Sequence, residues 1–354
     1  MKKQKKNRIV FIVFGFSKKN LRSQPWFSVN ELLKQFVSNY DVNLITESDD
    51  IYSNKYKIIK LKKLFNFFSP TIDLMEKIDE LKPIKIFIII GSHELLLFTR
   101  FNKFRNLNFI IGNNRFKLKE LVRLNFKDLF TEIKLLKIPF FSSLLPGFLI
   151  KLGFSQIKNS KIIYLSKEAQ KRYRNIGLLK GKVFITKKKI FSKKDKIFNS
   201  KNKKIILTYF GPPLNLRGID LVINTFNFLS KRKNNIFLNL FIRNNNEIYL
   251  KNKMLDLIQL INNSKFKDKI NLDTKYYLHK TLQKKIKQSS IIILPFKITI
   301  SDTPLVIFDA IKTKVPLFTL DTPGVTEYVK KTNSFICKDQ KDLFYKISKF
   351  VGIN

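Results

Sequence analysis

The chain reads as an α/β protein made of two successive parallel-sheet halves. Short, almost wholly apolar runs such as Ile84–Ile90 and Ile291–Leu294 alternate with longer amphipathic stretches. Strands that are apolar throughout, rather than at every second position, belong to a parallel sheet covered on both faces. The alternation breaks at residues 187–204 (KKKIFSKKDKIFNSKNKK), where nine lysines stand against one acid, and then restarts. A length of 354 residues suits two domains, each with its own core.

Taken in order, residues 8–14 read as the first strand. The run is short and no small-residue cleavage site follows it, so a strand is the better reading than a signal peptide. It ends at Gly15-Phe16-Ser17. A helix is expected over 27–38, then strands over 42–46 and 56–61. The strand over 84–90 ends at Gly91-Ser92-His93-Glu94, and further strands are expected over 109–112 and 162–166, the last followed by a helix over 167–176. In the second half, strands are expected over 204–210, 236–242, 269–272, 291–294 and 316–320. Helices are expected over 218–230, 247–262 and 278–288, with a further helix-like run ending near Asp309-Ala310-Ile311, and Glu327 opens another. The expected domains are residues 1–186 and 204–354, with a basic linker at 187–203.

A hydrophobic content of 44% belongs to a globular chain. One cysteine, Cys337, excludes an intrachain disulfide, and two histidines leave little for a metal site. No bound cofactor or metal is expected, and a reducing, cytoplasmic compartment is the simplest reading. With 69 Lys+Arg against 26 Asp+Glu the net charge is +43. Such a surplus suits an anionic membrane surface, nucleic acid or a polyanionic substrate. An A/T-rich coding bias also raises lysine, but it would raise glutamate with it. Nucleic acid is the least favoured partner: no RNA- or DNA-binding motif is present, and the basic residues spread over both halves.

No apolar run reaches the roughly 18–20 residues of a membrane span. Residues 114–154 nevertheless invite a membrane reading. Leu118, Val122, Phe126, Leu129, Ile133 and Leu136 recur at helical spacing, with Lys119, Arg123, Lys127 and Lys134 off that stripe. Residues 138–154 then carry one charge, Lys151, and are broken by Pro139, Pro146 and Gly147. The pattern suits either an interfacial segment or a core helix with a solvated basic face.

Polar groups gather at the ends of the expected strands in SSIIILPFKITISDTPLVIFDAIKTKVPLFTLDTPGVTEYVKK, residues 289–331. In open α/β sheets that edge is where ligands bind. The segment resembles the nucleotide-sugar site of GT-B glycosyltransferases, especially the large retaining family 4, with its pattern E-x7-E-A-M-A-x-G-x-P-V-V-x-T-x-x-G-G-x-x-E. Asp309-Ala310-Ile311 stands for Glu-Ala-Met, and Pro316, Thr319, Gly324 and Glu327 match in register. Ser301 holds the first glutamate's place with Asp302 one residue later, and Lys314 replaces a glycine. Upstream, Tyr209-Phe210-Gly211-Pro212-Pro213-Leu214-Asn215-Leu216-Arg217-Gly218 resembles the family element G-R-x-x-x-x-K-G. Arg217 takes the lysine position, and Pro212 stands where the arginine would be.

The resemblance implies a GT-B fold, with two Rossmann-like parallel-sheet domains facing a central cleft. The first would bind the acceptor and the second the nucleotide-sugar donor. It implies a retaining, metal-independent transferase that moves a sugar from a UDP- or GDP-sugar or similar donor to a lipid-linked or polysaccharide acceptor. Such an enzyme would sit at the inner face of the cell membrane.

Arg217 would hold the diphosphate, as a bidentate guanidinium suits it. The helix-terminus groups of Thr303, Pro304 and Leu305 would assist, with Gly15 and Gly211 in the nearby loops. Asp302 would contact the donor sugar, and Asp309 the ribose hydroxyls, which one carboxylate can accept in pairs. Asp302 and Glu327 also suit ordinary helix capping. His93, after its strand, would lie beside the sugar's reactive carbon, whereas His279 is expected to be structural.

In the first half, Phe16 and the run Arg22-Ser23-Gln24-Pro25-Trp26 resemble an R-x-Q-P-W element of microbial members. Arg22, Gln24 and Trp26 would meet the acceptor; alternatively Trp26 anchors the helix after it. The departures at Pro212, Ser301 and Lys314 keep a second reading open, a catalytically degenerate protein of the same fold that binds a sugar nucleotide or a partner.

Overall fold

In a computed structural model, the described residues are 6–18, 20–66, 69–90, 104, 106–112, 115, 118–121, 124, 126–132, 144–157, 159–177, 181–184, 204–242, 248–299, 304–330, 332 and 334–353. The chain forms two compact units. The first is built on residues 1–118 and 135–187, the second on 119–134, 188–299 and 304–354. A piece of the chain's first half therefore belongs to the second unit.

The strands of the first unit are β1 (Arg8–Ile12), β2 (Asp41–Thr46), β3 (Lys57–Lys60), the short antiparallel pair β4 (Phe65–Asn66) and β5 (Ser69–Pro70), β6 (Lys85–Ile90), β7 (Leu107–Ile111), β8 (Lys161–Tyr164) and β9 (Gly181–Val183). Those of the second are β10 (Ile205–Phe210), β11 (Ile236–Phe241), β12 (Ile270–Asp273), β13 (Ile291–Ile293), β14 (Leu317–Leu320) and β15 (Ser334–Cys337). The helices are α1 (Trp26–Phe36), α2 (Ile72–Leu81), α3 (Leu118–Leu121), α4 (Phe126–Thr131), α5 (Gly147–Ser155), α6 (Lys167–Arg174), α7 (Ile219–Ser230), α8 (Ile248–Asn262), α9 (His279–Ile286), α10 (Leu305–Thr313), α11 (Thr326–Val329) and α12 (Gln340–Val351).

Among the described residues the first sheet runs β3-β2-β1-β6-β7-β8-β9 and the second β12-β11-β10-β13-β14-β15, with neighbouring strands parallel in both. In each sheet the chain builds outward from its first strand on one side, then returns to build on the other. That reversal leaves a crevice at the carboxyl ends of β1 and β6, and another at those of β10 and β13. Both faces of the first sheet are covered. Val10 and Ile12 enter one fully buried cluster, while Ile9, Phe11 and Val13 enter the other. Phe11 and Phe87 stack there at 4.4 Å. Burial of each such side chain contributes about 1.5–3 kcal/mol.

The strands and helices expected from the sequence stand within a few residues of their observed ends. Elements not expected include the pair β4–β5, α2, β9, β15 and α12. The helices among these start at good caps: Thr71 accepts from the Leu74 amide, and Asp339 from the Asp342 amide.

Of the stripe expected at 118–136, Phe126 lies outward and Leu129 is half-buried, and the other side chains lie outside the described residues. Phe126 and Phe130 on α4 are 81% and 72% exposed, while Glu120, Asp128 and Glu132 are buried. The reason is electrostatic for two of these acids: Asp128 and Glu132 meet lysines of the second unit, as set out below. In α5, Ile150 and Gly153 face inward, and Phe148 and Leu152 outward. Among the described residues no helix is long and apolar enough to cross a membrane. Residues 133–143 and the linker, 187–203, lie outside the described residues.

Lys314 caps α10 at φ 60°, ψ 11°, the left-handed region. A side chain there meets the following carbonyl, which explains why glycine suits this position. Lys314→Gly is expected to stabilise the protein by about 1 kcal/mol, read as a higher urea midpoint at unchanged slope.

Candidate functional site

The second unit's crevice is framed by two loops. The first, residues 211–218, follows β10, and the second, 294–299, follows β13. The Lys297 amide donates to Leu216 O at 3.0 Å, and that of Ile298 to the same oxygen at 3.3 Å. Gly218, at φ +74°, lies so close to Pro295 that a Cβ would sit 2.2 Å from its carbonyl oxygen. Glycine here permits both the αL turn into α7 and the contact between the loops.

Arg217 stands at the crevice, partly buried, with its guanidinium carbon 5.5 Å from the centre of the Phe296 ring. Its Nη1 lies against Gly211, 3.2 Å from where a Cβ would be. Tyr209 donates its hydroxyl to Pro212 O at 2.7 Å, fixing the loop below. No carboxylate among the described residues pairs with Arg217. Burial lowers its pKa, with the Tyr209 phenol opposing that shift, and burial pushes the phenol itself well above its usual range.

The neighbouring cation is differently placed. Lys297 Nζ donates to Asp128 Oδ2 and to Asp220 Oδ2, both at 2.7 Å, and is itself buried. Two carboxylates neutralise it, so Lys297 does not replace the cation that Pro212 leaves out. Glu132, fully buried, accepts the Asn215 amide at 3.0 Å and lies 3.6 Å from Lys253 Nζ. The α4 segment thus holds the first loop through Glu132 and the second through Asp128.

Threonine hydroxyls tie the second loop to β14 and the turn after it. Thr319 donates to Leu294 O at 2.8 Å, Thr299 to Pro323 O at 3.0 Å, and Thr322 to Phe296 O. Thr326 donates to Asp321 Oδ1 at 3.0 Å, and Gly324 turns at φ +85°. Thr319 was matched in register, but Thr299, Thr322, Thr326, Lys297, Asp128, Glu132 and Asp220 were given no role in the sequence. The usable signal was the spacing Asp128–Glu132: two acids one helical turn apart in a strongly basic chain.

Of the donor residues expected from sequence, Gly211 and Arg217 lie in the first loop. Pro304 holds the N-cap position of α10, Leu305 begins that helix and Asp309 follows one turn later. Glu327 is in the first turn of α11. Asp309 is 16% exposed, and its Oδ1 lies 3.6 Å from His279 Nε2. His279, expected to stand apart from these motifs, is therefore corrected: α9 packs on α10 and brings the imidazole to that carboxylate. His93, Ser301, Asp302 and Thr303 lie outside the described residues.

In the first unit, Gly15 turns at φ +60° and its carbonyl accepts from Asn20 Nδ2 at 2.7 Å. Trp26 donates its indole N–H to Phe14 O at 2.8 Å, and its ring meets Phe14 edge-on at 6.4 Å. Trp26 thus anchors α1 to the β1 loop. Gln24 Oε1 is buried with no hydrogen-bond partner among the described residues. Arg22 lies in a single 3-10 turn. Phe16 is a correction: it is fully buried in the core, so its ring is closed to an acceptor.

Two parallel Rossmann-like sheets with loops converging at the switch points are the GT-B glycosyltransferase architecture, and solved structures share it. A sucrose-phosphate synthase from Thermosynechococcus elongatus superposes with a TM-score of 0.67 at 11% identity, covering 98% of this chain and 90% of that one. A glycosyltransferase from Rickettsia africae gives 0.61 at 13% identity, with 98% and 88% covered. An α,α-trehalose-phosphate synthase (UDP-forming) from Burkholderia xenovorans, in complex with glucose-6-phosphate, gives 0.61 at 9%, with 99% and 92% covered. At these identities the likeness is one of fold. No protein-family model matches the sequence, and no curated protein sequence matches it.

Lys297→Ala would leave Asp128 and Asp220 facing each other without their cation. A loss of about 3–5 kcal/mol is expected, because removing one partner strands buried charge. Urea unfolding of the variant beside wild type measures it.

Proposed function

We propose that the protein is a retaining, metal-independent glycosyltransferase that moves a sugar from a nucleoside-diphosphate donor. The observation that carries this reading is Arg217, a partly buried guanidinium with no carboxylate partner among the described residues, fixed at the crevice of a Rossmann-like sheet. A cation built into such a place is suited to an anionic ligand, and a diphosphate accepts its fork. The fold, shared with UDP-forming and sugar-phosphate synthases, supports the same reading.

The second unit would hold the donor and the first the acceptor. Leu305 and the amides that open α10 would face the diphosphate, while Asp309 would accept the ribose hydroxyls. Arg217 and these amides would stabilise the leaving diphosphate as charge develops on it. Gln24 Oε1, lacking a donor, would take an acceptor hydroxyl beside Trp26. Ser301, Asp302, Thr303, His93, Gly15, Arg22 and Glu327 keep the roles given by the family pattern.

The acceptor is proposed to be lipid-linked or a glycan, met at an anionic membrane surface on the cytoplasmic side. Exposed Phe126, Phe130, Phe148 and Leu152, in a chain of net charge +43, support lipid contact.

A catalytically degenerate binding protein of the same fold is the second reading. It is favoured by the neutralisation of Lys297, which leaves Arg217 to meet the diphosphate without that second cation.

The test is a binding screen against UDP-, GDP-, ADP- and dTDP-sugars. One donor is expected to bind, weakened at least about tenfold by Arg217→Ala. A folded protein that binds none overturns the phosphate role. Donor binding without transfer to any lipid-linked or glycan acceptor selects the degenerate reading.

A further inference from the structure

A second cavity lies elsewhere in the second unit. Its volume is about 570 Å³, within the range of small-molecule sites, and it opens between the carboxyl end of α7 and one face of α12. Arg232, Lys341 and Lys349 line it, with Phe228, Phe344 and Tyr345; among the described residues no carboxylate does. The α12 members, at 341, 344, 345, 348 and 349, follow helical spacing and stand apart from the buried stripe Leu343, Ile347 and Val351. Arg217 precedes the first turn of α7 and the cavity lies at its last. The twelve residues of that helix put the two about 18 Å apart.

The lining is ordered and partly unsatisfied. Phe228 and Phe344 stack at 4.9 Å with 19° between their planes. The Arg232 guanidinium lies 3.8 Å over the Phe228 ring and donates one N–H to Phe228 O at 3.1 Å, leaving other donors of its fork unused. Lys233 Nζ donates to Val351 O at 2.8 Å and joins the two helix ends. Ser348 Oγ is buried and has no hydrogen-bond partner among the described residues. Tyr345, 64% exposed, adds an open aromatic face.

Helix electrostatics accounts for two of the three cations, since Arg232 follows α7 and Lys349 closes α12. It does not account for Lys341, which sits in the first turn of α12, where a positive charge is disfavoured.

We propose that this cavity binds a nucleoside phosphate, separately from the donor crevice. The cations and the Ser348 hydroxyl would take the phosphate, and the aromatic group would stack the base. Neither half of the lining explains the other: cations alone suit any anion, and rings alone suit any flat apolar molecule. A ligand that carries both is the one the cavity selects.

The test uses the full chain with Arg217→Ala, so that the donor crevice is disabled and a failure there cannot mimic a failure here. UMP, UDP, AMP and ADP are titrated by calorimetry, beside inorganic phosphate and anionic vesicles. One equivalent of a nucleoside phosphate is expected to bind, weakened at least about tenfold by Lys349→Ala and by Tyr345→Ala. Lys267→Ala, on another part of the unit, is expected to leave it unchanged. In protein with Arg217 intact the same site appears as an equivalent that saturating donor does not displace. This second readout holds if the Arg217 variant fails to fold.

No binding in either protein overturns the proposal, as does binding unaffected by the Lys349 and Tyr345 variants. Inorganic phosphate binding as tightly as the nucleotides removes the base from the assignment. Vesicle binding without nucleotide binding assigns the cavity to lipid headgroups instead. Either result overturns the nucleoside phosphate.

Discussion

The second unit depends on the requirement that a buried ammonium be neutralised. Lys297 follows the end of β13, where its backbone ties two loops together and its side chain points into protein rather than water. An isolated charge there would cost several kcal/mol. Asp220, from the first turn of α7, supplies one carboxylate, and Asp128 the other. Asp128 belongs to α4, which precedes the second unit's own sheet by more than seventy residues of sequence. The need for that carboxylate, with Glu132 one turn later, draws a helix of the first half into the second. It also decides which way that helix turns. Its acids go inward, and its phenylalanines are left outside.

The same arrangement sharpens the charge of the surface. Acids are scarce in this chain, 26 against 69 basic residues, and some of those few are spent internally. Glu120, Asp128 and Glu132 are buried; Lys297 and Lys253 are withdrawn with them, but most lysines are not. Cationic excess and exposed aromatic rings thus fall on one protein, the combination on which the proposed membrane contact rests.

The fold was legible in the sequence because parallel strands buried on both faces leave an unmistakable trace of isoleucine, leucine and phenylalanine. Runs such as Ile291–Ile293 and Lys85–Ile90 needed no long-range information. Arg217, Gly211 and Asp309 were named through a resemblance of local motifs, and the fold places the first two in the loop after β10 and the third in α10. What escaped was set by partners distant in sequence. The apolar stripe of 118–136 was read by period alone, and period does not reveal that Asp128 has a lysine waiting 169 residues away. Likewise nothing near His279 announces Asp309, since their meeting follows from how α9 packs on α10. Phe16, beside a glycine in a strand-end loop, had the sequence setting of a binding residue, yet the sheet closes over it.

A segment shared in this way makes the second unit discontinuous along the chain. During synthesis Asp128 and Glu132 leave the ribosome well before β10, so one half of the ion cluster waits for the other. A fragment started at the basic stretch would hold a complete six-stranded sheet, yet lack the carboxylates that neutralise Lys297 and receive the Asn215 amide. The smallest faithful piece of this protein that contains the Arg217 crevice therefore begins before α4, in what the sequence presents as the other half.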